Sequence, residues 1–217
     1  ELDAKMRSYE TAQDVCALPG VYLAARLDGR GFTRLTKELL DLTRPFDVRF
    51  RDAMLQTTEH LMQSGIPVTY AYTESDEISL LIPPEADAFQ RKLRKLVSSL
   101  AAEASGRFSL SIGRTAAFDC RVVQLPSRRK VFDYFRWRQA DSGRNALNAY
   151  CYWTLRDAGE SPRRAPARLE RASVSDKNEL LFARGINFAQ TPAWQRRGVA
   201  LYWQTYTKSG TDPRTGH

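Results

Sequence analysis

Histidine is almost missing from this chain of 217 residues: His60 and His217 are the only two. A Ser-His-Asp triad, a His-rich metal site and general-base catalysis by His are therefore not expected. His60 falls inside an amphipathic stretch and reads as structural. Cysteine is scarce as well. Cys16, Cys120 and Cys151 stand apart, form neither a disulfide framework nor zinc-ligand spacing, and have no neighbouring His to activate them. No apolar run approaches the roughly 18 residues of a membrane span. The opening ELDAKMRSYE has neither the basic nor the apolar region of a secretory signal. Phosphate loops of the GxxxxGK[ST] or GxGxxG kind are absent, since Gly29-Arg30-Gly31 is too short a match. Internal repeats are absent too. These gaps lead us to expect a cytoplasmic protein of a reducing compartment with no membrane partner.

What is present supports a packed core. The composition is 42% hydrophobic, 11% aromatic and 27% charged, which excludes disorder and low-complexity fibres. The length fits one domain, or one domain with an extension. The net charge of +8 is unevenly placed. Residues 1–105 carry 13 Lys and Arg against 16 Asp and Glu, whereas residues 106–217 carry 20 against 9. Carboxylates early and arginines late suit a protein that handles a polyanion.

The apolar pattern gives an order of elements. VYLAARLD (residues 21–28) reads as a buried strand, and Gly29-Arg30-Gly31 turns the chain after it. Phe46, Phe50, Met54, Thr57 and Leu61 recur at helical spacing up to the Gly65 and Pro67 stop. PVTYAYTESDEISLLI (residues 67–82) predicts a hairpin with Thr73 to Glu77 at its centre. A basic amphipathic helix follows, with Gly106 as its expected end. TAAFDCRVVQL (residues 115–125) reads as a strand in which Phe118, Cys120 and Val122 alternate with Asp119 and Arg121. Next comes a long helix from Val131 to about Arg156, with a kink or break expected at Ser142-Gly143. Residues 159–173 read as a mobile connection ending in a short helix. DKNELLFARGINF and GVALYWQTY close the chain as helix and strand.

Strand, helix, two-stranded hairpin, helix, strand is the βαββαβ arrangement, a ferredoxin-like α/β (α+β) fold with an antiparallel sheet. Right-handed crossovers place the first strand beside the far strand of the hairpin, which brings Asp28 near Asp76 and Glu77. Residues 1–135 are expected to form this core, and residues 136–217 a basic extension of helices and a strand packed on it. Three carboxylates so placed form a hard-oxygen cluster of the kind Mg²⁺ takes. Two such ions can activate a hydroxyl and stabilise a departing pyrophosphate, as in polymerase palms and nucleotide cyclases. Either motif alone reads as ordinary turn chemistry; the pair, in this order, favours a metal site. Arg26, Arg44, Lys95, Arg121, Arg128, Arg129, Lys130 and Lys177 are the cations available for triphosphate or RNA backbone. The run KVFDYFRWRQ has aromatics for stacking nucleotides, although Phe132 and Phe135 sit at core-packing spacing.

These residues resemble the tRNA-His guanylyltransferase superfamily, including its bacterial and archaeal guanylyltransferase-like members. The resemblance rests on RLDGRGF (26–32), RPFD (44–47), YTESDEISLLI (72–82), FDCRVVQLPS (118–127), DYFRWRQAD (133–141) and DKNELLFARGIN (176–187) followed by RRGVALYW. It covers nearly the whole chain in order. It implies a palm-like catalytic core, two Mg²⁺ ions, ATP and GTP or other nucleoside triphosphates as substrates, tRNA as partner, and a dimer or tetramer. The implied reaction runs in the 3′-to-5′ direction: ATP activates the tRNA 5′ end, and the 3′-hydroxyl of the incoming nucleotide attacks it. Carried over by position, Asp28, Asp76 and Glu77 are the catalytic acids, with Asp28, Asp76 and the Gly29 carbonyl as metal ligands. Arg26, Gly29, Arg30, Gly31, Phe32, Arg44, Ser75, Lys95, Asn145, Asn148, Lys177 and Asn187 are the expected nucleotide-binding set. Arg128, Arg129, Lys130 and Arg136 are the expected tRNA contacts.

Two departures stand out. Arg44 stands where the family usually has Lys, keeping the charge but changing its geometry. Gly143 stands where eukaryotic members carry a His, and the register of the family's Asn falls on Asn145 or Asn148. The second departure points to the branch that restores missing 5′ nucleotides by pairing with the tRNA's own acceptor strand. Outside this reading stand a nucleotide cyclase, against which the basic second half argues, and a non-catalytic RNA-binding module on a similar sheet.

Overall fold

The computed structural model describes residues 1–207, so His217 lies outside the described residues. The helices and strands follow the order α1 (Leu2–Thr11), β1 (Tyr22–Arg30), α2 (Phe32–Arg34), α3 (Val48–Met62), β2 (Tyr70–Glu74) and β3 (Glu77–Ile82). They continue with α4 (Leu93–Ile112), β4 (Ala117–Leu125), α5 (Arg128–Asp157), α6 (Arg164–Glu170), α7 (Val174–Phe182), α8 (Ala193–Arg197) and β5 (Val199–Tyr202).

The sheet runs β4-β1-β3-β2-β5, antiparallel throughout. Its first four strands with α3 and α4 make the expected βαββαβ core, and β1 lies beside β3 as the crossover rule requires. β1 is apolar almost throughout because both its faces are covered. Leu23, Ala25 and Leu27 join Ile78, Leu80, Leu61, Leu96, Leu100 and Phe108 in the main core beneath α3 and α4. Ala24, on the other face, packs with Leu125 and Tyr134. α3 begins where the Asp47 carboxylate accepts from the Arg49 amide.

Three expectations for the helices change. α4 runs straight through Gly106 and ends at Gly113, which takes the left-handed conformation at φ 66°. An interior Gly costs a helix about 1 kcal/mol. Fully buried Phe108, two residues on, contributes roughly 1.5–3 kcal/mol, so packing prevails. α5 is likewise unbroken through Ser142-Gly143 for 30 residues. Ser142 and Ala146 on one face, and Leu147, Cys151 and Leu155 further along, are buried and hold that stretch helical. The boundary expected at residue 135 therefore falls inside one helix. Residues 159–173 are a docked piece of the fold: Ala165 and Leu169 of α6 join Cys151, Leu155 and Leu181 in a second small core.

Candidate active site

Asp28 sits near the carboxyl end of β1, in register with Glu77 of β3, so the two side chains share one sheet face. Only Ser75 and Asp76 separate β2 from β3, and Ser75 takes φ 47° to make so tight a turn. The Gly29 amide donates to the Asp76 carbonyl at 3.0 Å, which ties the hairpin tip to the end of β1. Gly29 is glycine for a steric reason. A Cβ there would lie 2.5 Å from the Phe32 ring, itself packed among Phe50, Phe108 and Phe118.

The acids of this corner have different partners. Asp28 and Asp76 have no ion-pair partner among the described residues. Burial raises the Asp76 carboxyl above its ordinary range, and the Asp28 charge adds to the shift, while the Ser75 hydroxyl, donating at 3.0 Å, opposes it. Glu77 is neutralised instead: Arg138 of α5 donates to both of its oxygens, at 2.7 and 2.8 Å. Glu74, which ends β2, is pushed up to about 7, first by burial and then by the charges of Glu77 and Asp141. Asp28 and Asp76, the two expected metal ligands, thus stand without ion-pair partners among the described residues beside a Glu77 held in a buried ion pair.

Among the described residues no group of three or more His, Cys, Asp or Glu side chains is placed to hold a metal. Asp28 and Asp76, hard oxygen donors without a cation, nevertheless fit Mg²⁺, which takes one or two carboxylates and fills its remaining positions with phosphate oxygens and water.

Ser75 and Asp76 open on a cleft of about 280 Å³. Its walls come from the 42–47 loop and α3, the hairpin end, and the α5 face bearing Ser142, Asn145, Ala149 and Trp153, with Trp194 of α8 closing it. Asp47 fastens the loop, accepting from the Thr43 amide at 2.7 Å and from the Arg49 guanidinium. That ion pair holds its carboxyl well below the usual range. The Arg44 guanidinium stacks on the Trp153 ring at 4.0 Å. Lys37 lies 4.6 Å from the Tyr152 ring centroid, and Arg51 stacks over Trp194 at 4.9 Å. An aromatic and cationic wall opposite the Asp76 carboxylate suits a base and a phosphate chain.

Of the expected nucleotide set, Arg44, Ser75 and Asn145 line the cleft. Asn148 is exposed and does not line the cleft, whereas Asn145 does. Phe32 reaches the cleft as its floor, with its ring 2% exposed and packed in the core. Arg26 lies on the Asp28 face, opposite Arg121 in register, with its Nε buried and without a hydrogen-bond partner. The same Nε lies 3.8 Å from a Glu77 oxygen, so Glu77 faces a second cation beside Arg138. Arg30 and Gly31 follow at the end of β1, Gly31 at φ 75°.

Four groups fall elsewhere. Lys95 is exposed on the first turns of α4, where Leu93 and Arg91 bind the chain around Val15 and Val21, at the opposite end of β1 from Asp28. Lys177 and Asn187 belong to the α7 region. The Lys177 carbonyl accepts from Cys151, and Asn187 caps the short turn that follows it. Arg128, Arg129 and Lys130 begin α5 at the Tyr22 end of the sheet, where Arg128 donates to the Tyr22 hydroxyl. Phe132 is 62% exposed beneath the Arg136 guanidinium, so it is a surface group and not core.

Reading the sequence missed Trp153, Trp194 and Arg138 as parts of the site. Arg138 lies inside the DYFRWRQAD motif, whereas Trp194 reaches the cleft only because α8 folds back onto α5.

A split βαβ sheet that brings together two carboxylates from a strand end and a neighbouring hairpin, the second of them lining a nucleotide-sized cleft, defines a palm-type α/β protein. Comparison with known proteins narrows this class. Residues 3–126 match the family described as tRNAHis guanylyltransferase, and residues 129–216 match its C-terminal domain. A tRNA(His) guanylyltransferase of Debaryomyces hansenii is 33% identical over 209 residues, covering 90% of this chain and 78% of the relative. A bacterial tRNA(His) guanylyltransferase (Thg1)-like protein solved in complex with ATP superposes with a TM-score of 0.81 at 27% identity, covering 93% of this chain and 88% of that one. Another, in complex with GTP, gives 0.73 at 25% identity, with 95% and 86% covered. The chain belongs to the tRNA-His guanylyltransferase family.

Proposed function

We propose that the protein is a nucleotidyltransferase that adds nucleotides in the 3′-to-5′ direction to the 5′ end of tRNA. The observation that carries this reading is the adjacency of Asp28 and Asp76, free of cationic partners, at one end of a cleft lined by stacked Arg44 and Trp153. Family membership and the ATP and GTP complexes of similar proteins support nucleoside triphosphates as substrates.

Asp28, Asp76 and the Gly29 carbonyl would hold Mg²⁺. When bound, the metal supplies charge neutralisation at the reacting phosphate and acidifies the attacking hydroxyl. The chain's own residues orient the substrates. Trp153, Trp194 and Phe46 hold the base, and Arg44 and Ser75 the phosphates nearest the hairpin. Arg26 and Arg121 neutralise phosphate charge on the Asp28 face. The tRNA 5′-phosphate first displaces pyrophosphate from ATP. The 3′-hydroxyl of the incoming nucleotide then displaces AMP from the activated end. Glu77 supports the site through its ion pair with Arg138. The exposed cations of α5, Arg128 to Lys130 and Arg136, contact the tRNA backbone.

Within this activity we favour template-directed repair of truncated 5′ ends. Gly143 carries no side chain where eukaryotic relatives place His, and a Cβ there would already lie 3.5 Å from the Arg196 carbonyl. That is ordinary van der Waals contact, which places the end of α8 beside this position. An oligomer, as dimer or tetramer, and a cytoplasmic location complete the reading. The location is supported by three unpaired cysteines and by the lack, among the described residues, of any helix long and apolar enough to cross a membrane.

The test is incubation with Mg²⁺, ATP, GTP and two labelled tRNAs, one full-length and one missing its first nucleotide. Extension of the truncated tRNA with the base complementary to its acceptor strand supports repair. Addition only to intact tRNA-His restores guanylylation as the role. Failure to extend either refutes both.

A further inference from the structure

Arg138 is 4% exposed and stands at the centre of three carboxylates. It donates to both oxygens of Glu77, at 2.7 and 2.8 Å, and to Asp141 at 2.9 Å, and it lies 3.7 Å from Glu74. On its remaining side its guanidinium carbon lies 4.5 Å from the centroid of the Trp137 ring. Glu74 is the last residue of β2 and Glu77 the first of β3. One planar guanidinium thus reaches both flanks of the two-residue turn that carries Asp76. The β2–β3 ladder closes the turn at Glu74 and Glu77, and the Thr73 hydroxyl donates to the Glu77 carbonyl at 2.9 Å, but these bonds fix the hairpin within itself and not its position against β1. Ser75 is exposed and sits at a positive φ, and one backbone bond, from the Gly29 amide to the Asp76 carbonyl, ties its tip to β1.

We propose that Arg138 is a positioning residue of the catalytic corner. It clamps Glu74 and Glu77 so that the turn presents Asp76 to Asp28, and it keeps the Glu77 carboxylate out of that pair. A Glu77 carboxylate released from Arg138 would keep only the longer 3.8 Å pairing with Arg26 and would have Asp28, its cross-strand neighbour, beside it. The corner would then hold three competing acids where it now holds two. A Lys at this position keeps a charge but cannot grip two oxygens in a fixed plane. The inference rests on the reading of Asp28 and Asp76 as the catalytic pair, but the motion it predicts can be measured without turnover.

The test is Arg138→Lys, chosen because it leaves a cation among the buried acids and so favours folding, with Arg138→Gln beside it. Amide hydrogen exchange is followed at Gly29, whose bond reports the hairpin tip, and at Leu100 and Phe108 of the core. We expect Arg138→Lys to speed Gly29 exchange about tenfold or more while the core amides stay as in the wild type. We also expect turnover of truncated tRNA to fall about a hundredfold with the KM for nucleotide changed less than about threefold. Equal acceleration at Gly29 and in the core would show a merely structural role and overturn the proposal. So would a Gly29 amide that keeps its protection in a folded variant. If Arg138→Gln does not fold, Arg138→Lys alone decides. If the wild type transfers no nucleotide, the exchange result still decides on the clamp while the functional reading falls by itself.

Discussion

The Arg44 guanidinium carbon lies over the Trp153 ring, 4.0 Å from its centroid, and so joins the 42–47 loop to α5 across the cleft. Such a stack is worth about 1–2 kcal/mol when partly desolvated, and it holds the charge where a phosphate would enter. Arg44→Ala should raise the apparent KM for nucleotide about tenfold or more while tRNA affinity changes less than about threefold. Trp153→Ala should shift KM in the same direction, because the cation loses its support. Steady-state kinetics beside filter binding of tRNA checks both. A loss confined to tRNA affinity would remove Arg44 from the nucleotide site.

Asp76 has Asp28 as its charged neighbour and no cation of its own. Its folded-state pKa is raised, so ionising it at neutral pH works against folding, and the penalty grows as pH rises from the ordinary carboxylate value to the raised one. Asp76→Asn should therefore leave stability at neutral pH unchanged or higher, by up to about 1 kcal/mol in metal-free buffer, while abolishing transfer. Urea denaturation and a transfer assay on the same preparation measure the two effects. A clear loss of stability would mean that Asp76 has a structural role instead.

Asp47 behaves in the opposite sense. Its carboxylate caps α3 and grips Arg49, and its folded pKa is depressed by that ion pair. A depressed carboxylate contributes stability that is fully present above its unfolded value, near 4, and is lost as pH falls toward the lower folded value. Asp47→Ala should thus destabilise the protein by about 1–3 kcal/mol near neutral pH. The gap between variant and wild type should narrow steadily below about pH 4. Chemical denaturation across that range checks it, and a constant gap would show that the cap acts by shape alone.

The sheet could be read from the sequence because each strand states its own environment. VYLAA is continuously apolar since β1 is covered on both faces, and β4 alternates because α4 covers only one of its faces, leaving Asp119 and Arg121 exposed. The pairing of Asp28 with the hairpin followed from element order and handedness alone. Side-chain partnership was not legible. Nothing local distinguishes Glu77, taken by an arginine 61 residues away, from Asp76, which is free. Trp194 enters the cleft through α8, five residues long and too short to show a period. Lys95 and Lys177 carry the right charge within matching motifs, yet the fold places them outside the cleft, which charge counting does not reveal.

Gly106 offers a test of how far packing overrides local preference. It lies at the exposed face in the middle of α4, and a Cβ built there meets nothing within 4 Å. Its backbone is ordinary helix, unlike that of Gly113, whose φ of 66° disfavours any side chain. Gly106→Ala lowers the entropy of the unfolded chain and removes the helix-interior penalty without touching a neighbour. It should raise stability by about 0.5–1 kcal/mol. The same change at Gly113 should lower stability by about 1 kcal/mol, through the strained left-handed position. Thermal denaturation of the two variants should move in opposite directions. If both were destabilised, α4 would not be continuous through Gly106.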